Sequence, residues 1–128
     1  MSLIIGMTQN NYVLDYPTCS AAEQLIKVAD KYPKLTAYSF LGFKTSFAKL
    51  KREIIRFATD LTRLGLARGD RIMLCLPNIP QALISFYGAN LIGVNSVFVH
   101  PLSSEGELSY FIDDSKPKLI ITMKWTKN

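Results

Sequence analysis

The sequence predicts an α/β fold in which a small hairpin and an amphipathic helix precede a parallel βαβαβ unit. Two patterns lead to this prediction. Residues 71–122 alternate short apolar runs with helical segments, which is typical of parallel strands joined by right-handed crossovers. Residues 46–64 repeat apolar side chains at helical spacing. With 128 residues, 48% of them apolar, the chain can bury one core, and its composition argues against disorder.

The amino-terminal part is predicted to hold an arm and a first helix. Residues 1–20 show no clear period and are interpreted as an N-terminal arm. Ser20 and Glu23 have the spacing of a capping box, which predicts a helix that begins after Ser20. The helix is expected to end at Tyr32, because the residue before a proline disfavours helical backbone.

A small hairpin is predicted next. Residues 36–41 are rich in aromatic and β-branched side chains, which favours a strand. The turn is expected over 41–44, where Gly42 lies, and the returning strand over 45–47.

The clearest helix is predicted between an N-cap at Ser46 and a stop at Gly65. Its apolar residues fall within an arc of about 100° and comprise Phe47, Leu50, Ile54, Phe57, Leu61 and Leu64. Four cations fall within about 60° of one another on the opposite side, namely Lys49, Arg52, Arg56 and Arg63. Glu53 and Asp60 border this stripe, and Asp60 is spaced to pair with Arg56.

The remaining elements form the predicted βαβαβ unit. In order, they are a strand over 71–76, a helix over 81–92, a strand over 94–99, a helix from Ser103 or Ser104 to about Asp114, and a strand over 119–122. Asn78 is expected to cap the first of these helices, with Pro80 in its first turn. Glu105 and Glu107 suit the first turn of the second helix, because the helix dipole favours negative charge there.

The net charge of +5 comes from one segment. Residues 44–71 contain eight basic and three acidic side chains, and the rest of the chain is neutral. A solvated helix face explains this pattern best, while attraction to an anionic membrane and binding to nucleic acid stay open. Nucleic acid is the weaker alternative, because the basic stripe has no interleaved aromatic residues.

No catalytic signature stands out. The sequence has no GxGxxG, no GxxxxGK(S/T) and no GxSxG motif. His100 is interpreted as a loop residue at a strand end, and Cys75 as a small core residue. Glu105 and Glu107 point about 200° apart on a helix and cannot share one substrate. Asp113-Asp114 is interpreted as a surface pair, and neither Cys nor His has the spacing of a metal site.

A membrane span is a further alternative. Residues 82–99 carry no charged side chain, and their length is near that of a transmembrane helix. Gly88, Asn90, Gly93 and Asn95 interrupt the apolar residues. A strand and a helix buried on both sides of a sheet would be equally uncharged, and this explanation is favoured.

Five segments in a fixed order resemble the start of the adenylate-forming enzymes, which include acyl-CoA synthetases, luciferases and peptide-synthetase adenylation domains. They are SFAKL at 46–50 (T/S-Y/F-x-E-L in the family), LGLARGDRI at 64–72 (LGLxxGDRV), LPNIP at 76–80 (LPNSPE), GANLIG at 88–93 with VFVHP at 97–101 (GALKAGAVYVPLNP), and EL at 107–108 with DDS at 113–115 (ELxxxLxDSGAK). Lys49, Asn90, Ile92 and residues 116–118 depart from the family pattern, at positions of packing and surface.

The resemblance implies a two-step ligase reaction. ATP and a carboxylate form an acyl-adenylate, and the thiol of CoA then displaces AMP, with Mg²⁺ and basic groups stabilising the phosphoryl charge. The family's phosphate loop, magnesium-binding Glu and catalytic Lys lie downstream of the matched region. Residues 21–128 are therefore expected to be part of the N-terminal subdomain of a fatty-acid–CoA ligase, inactive alone, with no catalytic, cofactor-binding or metal-binding residue and with no ATP, Mg²⁺ or CoA bound.

Two other functions and several properties complete the expectations. The chain could be a self-contained flavodoxin-like module that binds a ligand near Pro77-Asn78 and His100-Pro101, or belong to an enzyme that adenylates an amino acid or an aryl acid. No signal peptide is visible, so a cytoplasmic location is expected, with peripheral contact to the inner face of a membrane left open. Strand edges and apolar faces that the rest of a ligase would cover are expected to make the fragment self-associate.

Overall fold

A computed structural model describes residues 18–123. The elements are α1 (Ala21–Lys31), β1 (Thr36–Phe40), β2 (Phe43–Ser46), α2 (Phe47–Arg63), β3 (Arg71–Cys75), α3 (Pro80–Leu91), β4 (Asn95–Phe98), α4 (Glu105–Ser115) and β5 (Leu119–Thr122). Their order confirms the predicted α/β fold. The predicted arm at 1–20 lies outside the described residues, except for its last three positions.

The helix α1 begins with the predicted capping box. The hydroxyl of Ser20 accepts the N–H of Glu23, and the Glu23 carboxylate accepts the N–H of Ser20. A second acceptor comes from a distant part of the chain, because Oδ1 of Asn90 in α3 accepts the N–H of Ala22 at 2.9 Å. An unpaired N–H in the first turn of α1 is thereby satisfied, which fixes this end of α1 on α3.

The hairpin is tighter than the sequence predicts. Strands β1 and β2 are antiparallel, and Phe40 lies opposite Phe43. The turn therefore consists of Leu41 and Gly42 alone, with φ angles of 50° and 82°. The expected turn over 41–44 is wrong at Phe43 and Lys44, which lie in β2. Two consecutive residues with positive φ are typical of a two-residue turn that matches the twist of its strands.

The helix α2 confirms the predicted cap and apolar stripe, with one exception. Ser46 accepts the N–H of Lys49, and Leu50, Ile54 and Leu61 are buried. Leu64, which was expected on the core side, is 64% exposed. The reason is the helix end.

At that end the chain leaves the helix axis and a different leucine enters the core. Gly65 has a φ of +87°, and the N–H groups of Gly65 and Leu66 bond back to the carbonyls of Thr62 and Leu61. This is a Schellman motif, in which the residue after the glycine meets the last turn of the helix. Leu66, only 5% exposed, takes the core position.

Strands β3, β4 and β5 form a parallel sheet in the order β4-β3-β5. The side chains of the central strand alternate between two cores. Ile72 and Leu74 join the cluster beneath α2 and α3, while Met73 and Cys75 pack with Val99 on the face that α4 covers. Burial on both faces explains why this strand is uncharged after Arg71. It also confirms Cys75 as a core residue.

The helix α3 begins one residue after a proline-bounded turn. The N–H of Ile79 donates to the carbonyl of Pro77 at 2.8 Å, so the chain turns at Asn78 and Ile79 becomes the N-cap, without a side-chain cap. The expected Asn78 cap is therefore wrong, and Pro80 stands in the first turn as predicted. Residues 82–99 divide into α3, a turn and β4, and within 18–123 no helix is long and apolar enough to cross a membrane.

Of the two predicted caps, Ser103 and Ser104, the second begins helix α4. Ser104 is the N-cap and accepts the N–H of Glu107, and the helix ends at Ser115 before a left-handed Lys116. Leu108 and Phe111 pack half-buried on the cluster around Met73. Strand β5 follows over the predicted residues 119–122.

Candidate functional site

Two loops meet at the carboxyl edge of the parallel sheet. Strand β3 ends before Pro77, which has no N–H for the ladder, and β4 ends before Pro101. Residues 76–78 and 98–101 together line a concave region of about 410 Å³. The sequence placed both loops at this edge, and the structure brings them together. Ligand binding there stays a prediction.

His100 is tied to its own loop. Its Nδ1 accepts the backbone N–H of Leu102 at 3.1 Å, so the ring proton lies on Nε2. The hydroxyl of Ser103 donates to the carbonyl oxygen of His100 at 2.7 Å and not to the imidazole. This arrangement shapes a turn after β4, and it gives neither Ser103 nor His100 the partner that a nucleophile and its base require.

A second groove lies beside the first and is larger and more apolar. It has a volume of about 440 Å³, shares Asn78 and Phe98 with the first region, and is lined by Tyr38, Ser39, Phe40, Asn78, Ile79, Pro80, Ala82, Leu83, Phe86, Tyr87 and Phe98. The ring centroids of Phe86 and Phe98 are 5.7 Å apart, and those of Phe86 and Tyr87 are 5.1 Å apart. The edge of the sheet thus joins the loop region around Asn78 and His100 to an aromatic groove.

Sequence reasoning missed this groove. It explained the uncharged first helix of the unit by burial, whereas only Ser85, Gly88 and Ala89 of α3 are buried. Leu83, Phe86 and Tyr87 have the spacing of one helix face, and Tyr38 and Phe40 point to one side of β1. These two spacings were a usable signal, although they do not show that the two faces meet.

The basic stripe of α2 lies in solvent. Lys49, Arg52, Arg56 and Arg63 are exposed. Within residues 18–123 the ion pairs are Lys51–Asp30, Arg63–Asp60 at 3.9 Å and Lys118–Asp70 at 3.3 Å. The expected Arg56–Asp60 pair is therefore wrong, because Arg63, one turn further along, takes the carboxylate of Asp60.

The acidic candidates do not converge on a site. Glu105 and Glu107 are exposed in the first turn of α4, and Asp113 and Asp114 are exposed near its end. In the described part of the chain, no group of three or more His, Cys, Asp or Glu residues is arranged to hold a metal ion. These residues do not fit the Mg²⁺ that the resemblance implies.

Asp70 is held at the opposite end of β3. Its Oδ2 accepts the N–H of Ala67 at 2.7 Å and a bond from Nζ of Lys118 at 3.3 Å. The Ala67 bond, followed by the Lys118 ammonium, lowers the pKa of the Asp70 carboxyl below its usual 3.8. Lys118 also donates to the carbonyl of Gly65 at 2.7 Å, so this cluster joins β5 to the loop before β3. From the sequence, Asp70 has no predicted role beyond its place in the segment at 64–72.

These features define an α/β fold in which two loops and an aromatic groove gather at the carboxyl edge of a parallel sheet. Within residues 18–123 the two concave regions lie side by side at this edge and share Asn78 and Phe98. The family described as AMP-binding enzyme matches residues 25–128, and the chain belongs to that family. The resemblance drawn from the five sequence segments is thereby confirmed.

Individual relatives agree with this assignment. The long-chain-fatty-acid–CoA ligase of Bacillus subtilis (strain 168) is 36% identical over 110 residues, which cover 86% of this chain and 20% of that protein. A fatty acyl CoA synthetase of Mycobacterium tuberculosis has a similar structure, with a TM-score of 0.76 and 30% identity over 79% of this chain and 20% of its own. VinN in complex with L-aspartate gives a TM-score of 0.78 and 30% identity over 81% of this chain and 29% of its own. The chain spans about one fifth of the length of the curated ligases it matches.

Proposed function

We propose that this chain is part of an ATP-dependent acid–CoA ligase that activates a fatty acid as an acyl-adenylate and transfers it to CoA. The family match over residues 25–128 carries this proposal. Adenylation solves a general chemical difficulty, because a carboxylate becomes a good electrophile only when one of its oxygens is converted into a phosphate leaving group. CoA thiol can then attack the acyl carbon and release AMP.

The choice of a fatty acid is supported by the relatives and by the groove. Both the Bacillus and the Mycobacterium proteins are named for fatty acyl substrates. The aromatic groove at the carboxyl edge offers apolar side chains on three elements, which suits an alkyl chain. An amino acid is the second candidate, since VinN, of similar fold and identity, has been solved with L-aspartate.

The chain alone is proposed to be inactive. Its candidate site offers one imidazole, which is engaged with its own loop, and the acidic side chains of α4 lie apart from that site in solvent. The groups that bind the phosphates of the nucleotide would have to be supplied by residues that the family places downstream. The role of this chain would be to form one wall of the ligase's substrate site and part of the enzyme's hydrophobic core.

ATP–pyrophosphate exchange tests both statements. The complete open reading frame that encodes this segment should catalyse exchange with palmitate, and with L-aspartate or 4-coumarate at least tenfold more slowly. The 128-residue chain should show no exchange with any of the three acids. Exchange with L-aspartate alone would overturn the fatty-acid assignment, and turnover by the 128-residue chain would overturn its inactivity.

We further propose that the 128-residue chain self-associates. Leu41, Phe43 and Leu102 are about four-fifths exposed, and Phe98 is 60% exposed at the edge of the sheet. In the described part of the chain, the outer edges of β4 and β5 pair with no strand. Exposed apolar side chains and open edges favour association. Light scattering should show a mass that rises with concentration, and a monodisperse monomer at high concentration would contradict the proposal.

A further inference from the structure

The outer side of α2 carries a row of four cations, which we call the basic face and define as Lys49, Arg52, Arg56 and Arg63. The carboxylate of Asp60 lies between Arg56 and Arg63 in this row. The opposite side of the helix is buried through Leu50, Ile54, Ala58 and Leu61, so the rigid core fixes the direction in which the four cations project. At 1.5 Å per residue the basic face extends about 21 Å along the helix. A straight row of this length can contact several anionic groups at once.

The positive charge of this face is only partly neutralised within the chain. Arg63 pairs with Asp60 at 3.9 Å, but Lys49, Arg52 and Arg56 take part in none of the ion pairs among residues 18–123. The same three cations and Glu53 line a shallow depression of about 330 Å³. One carboxylate among three cations leaves a net positive site that an anion can approach.

Exposed apolar residues lie close to this face in the chain. Leu41 of the hairpin turn is 81% exposed and Phe43, the first residue of β2, is 79% exposed. Lys44 is exposed beside them, and β2 continues directly into α2. The hairpin also lies along the flank of α2, because Tyr38 of β1 lines one depression together with Glu53 and Arg56. Cations next to exposed apolar side chains are the chemistry of proteins that bind the surface of a bilayer.

The same observations argue against nucleic acid. Binding to single strands relies on aromatic side chains between the cations. On α2 no aromatic side chain stands between the four cations of the basic face, and Phe47 and Phe57 are half-buried; Phe57 and Tyr38 border the face at one depression beside Arg56. We infer that the basic face and the hairpin turn form a peripheral binding surface for bilayers that contain anionic lipids. This binding is independent of the proposed ligase activity and can be measured without it.

Vesicle flotation tests the inference, because self-associated protein sinks whereas bound protein rises with the vesicles. The 128-residue chain should float with vesicles of phosphatidylcholine and phosphatidylglycerol (3:1) at 50 mM salt. It should float far less with pure phosphatidylcholine, and binding should fall steeply at 500 mM salt. Equal flotation with neutral and anionic vesicles, or no flotation with either, would overturn the inference.

A charge-matched pair of variants locates the surface. Lys49→Gln/Arg52→Gln/Arg56→Gln removes three charges from the basic face, and Gln keeps a good helix propensity. Lys27→Gln/Lys34→Gln/Lys116→Gln removes three charges from exposed positions elsewhere. At roughly a fivefold affinity loss for each cation near an anionic membrane, the first variant should bind at least tenfold more weakly. The second should bind within threefold of the wild type.

Two further results keep the test decisive. Circular dichroism should show equal helix content in both triple variants, and Lys49→Ala/Arg52→Ala/Arg56→Ala serves as a second form of the first if the Gln variant unfolds. Leu41→Ser/Phe43→Ser should weaken binding at both salt concentrations by a similar factor. Equal losses in the two charge-matched variants would overturn the assignment to α2. Displacement of the vesicle-bound chain by a single-stranded oligonucleotide, at a lower concentration than by added phosphatidylglycerol vesicles, would overturn the choice of a bilayer over nucleic acid.

Discussion

The two faces of the parallel sheet are covered to different depths. Beneath α2 and α3, Leu61, Ile72, Leu74 and Ala89 are at most 1% exposed. On the other face Met73 of the sheet is equally buried, but the covering helix α4 itself, within residues 18–123, has no buried residue and packs through the half-buried Leu108 and Phe111. The comparison indicates that the core beneath α2 and α3 provides most of the stability, while α4 lies on the sheet as a partial cover.

The largest expected difference between the faces comes from truncating one leucine on each. Leu61→Ala should lower the free energy of unfolding by about 3 kcal/mol, because it opens a cavity in a closed core. Leu108→Ala, the same change in α4, should cost about half as much, since Leu108 already contacts solvent. Urea unfolding of both variants measures the two losses. Equal losses would show that α4 is as firmly packed as α2.

A second comparison uses one glycine in a helix on each face. A Cβ at Gly88 of α3 would lie 2.7 Å from Cδ1 of Phe57 and 3.1 Å from the carbonyl oxygen of Ile54, whereas a Cβ at Gly106 of α4 would meet no atom within 4 Å. Gly88→Ala should destabilise the fold by about 1–2 kcal/mol, because overpacking outweighs the gain in helix propensity.

Gly106→Ala is the matched control for this contact. It should be neutral or stabilise the fold by about 0.5 kcal/mol, since alanine reduces the freedom of the unfolded chain without a clash. Thermal unfolding of the two variants gives both signs in one experiment. A stabilising Gly88→Ala would mean that α2 and α3 separate easily, against the close packing described above.

A smaller effect is expected where α1 meets α3. Asn90→Ala removes the acceptor for the N–H of Ala22 and should cost about 1 kcal/mol. Hydrogen exchange should show faster exchange in the first turn of α1, with little change in β3. Asn95→Ala, a change at an exposed amide in β4, should leave hydrogen exchange in α1 as it is in the wild type. Similar effects of both changes would argue against the bond from Ala22 to Asn90 as a cap of α1.

The sequence predicts best those features that depend on interactions between residues close together in the chain. The capping box at Ser20 and the helix stop at Gly65 depend on neighbours within a few residues, and both are confirmed. The wrong details are also local, but they depend on competition. Arg63 displaced Arg56 at Asp60, and the turn at Asn78 moved the helix cap to Ile79.

The candidate site was only partly predictable for the same reason. The two loops after β3 and β4 could be placed together, because parallel strands share a carboxyl edge. The aromatic groove could not, since it requires Tyr38 and Phe40 of the hairpin to meet Phe86 and Phe98, more than 40 residues away in the chain. The bond between Asn90 and Ala22 is a similar case, because it joins residues 68 positions apart. No local pattern indicates which helix will receive a distant amide.

The smallest effect concerns the bonds that attach β5 to the loop before β3. Strand β5 follows α4, the helix that covers its face of the sheet only partly. The lowered pKa of Asp70 means that its bonds to Ala67 and Lys118 stabilise the fold above the unfolded-state pKa of about 3.8. That contribution is lost as the pH falls through the lower, folded-state pKa. Asp70→Asn should therefore unfold at a lower urea concentration than the wild type at pH 7, and the difference should shrink below pH 4. Asp114→Asn, at an exposed carboxylate of α4, should unfold at the same urea concentration as the wild type at pH 7. If the difference in urea midpoint between Asp70→Asn and the wild type stays constant down to pH 2.5, the packing of the Asp70 side chain, and not its charge, holds β5 in place.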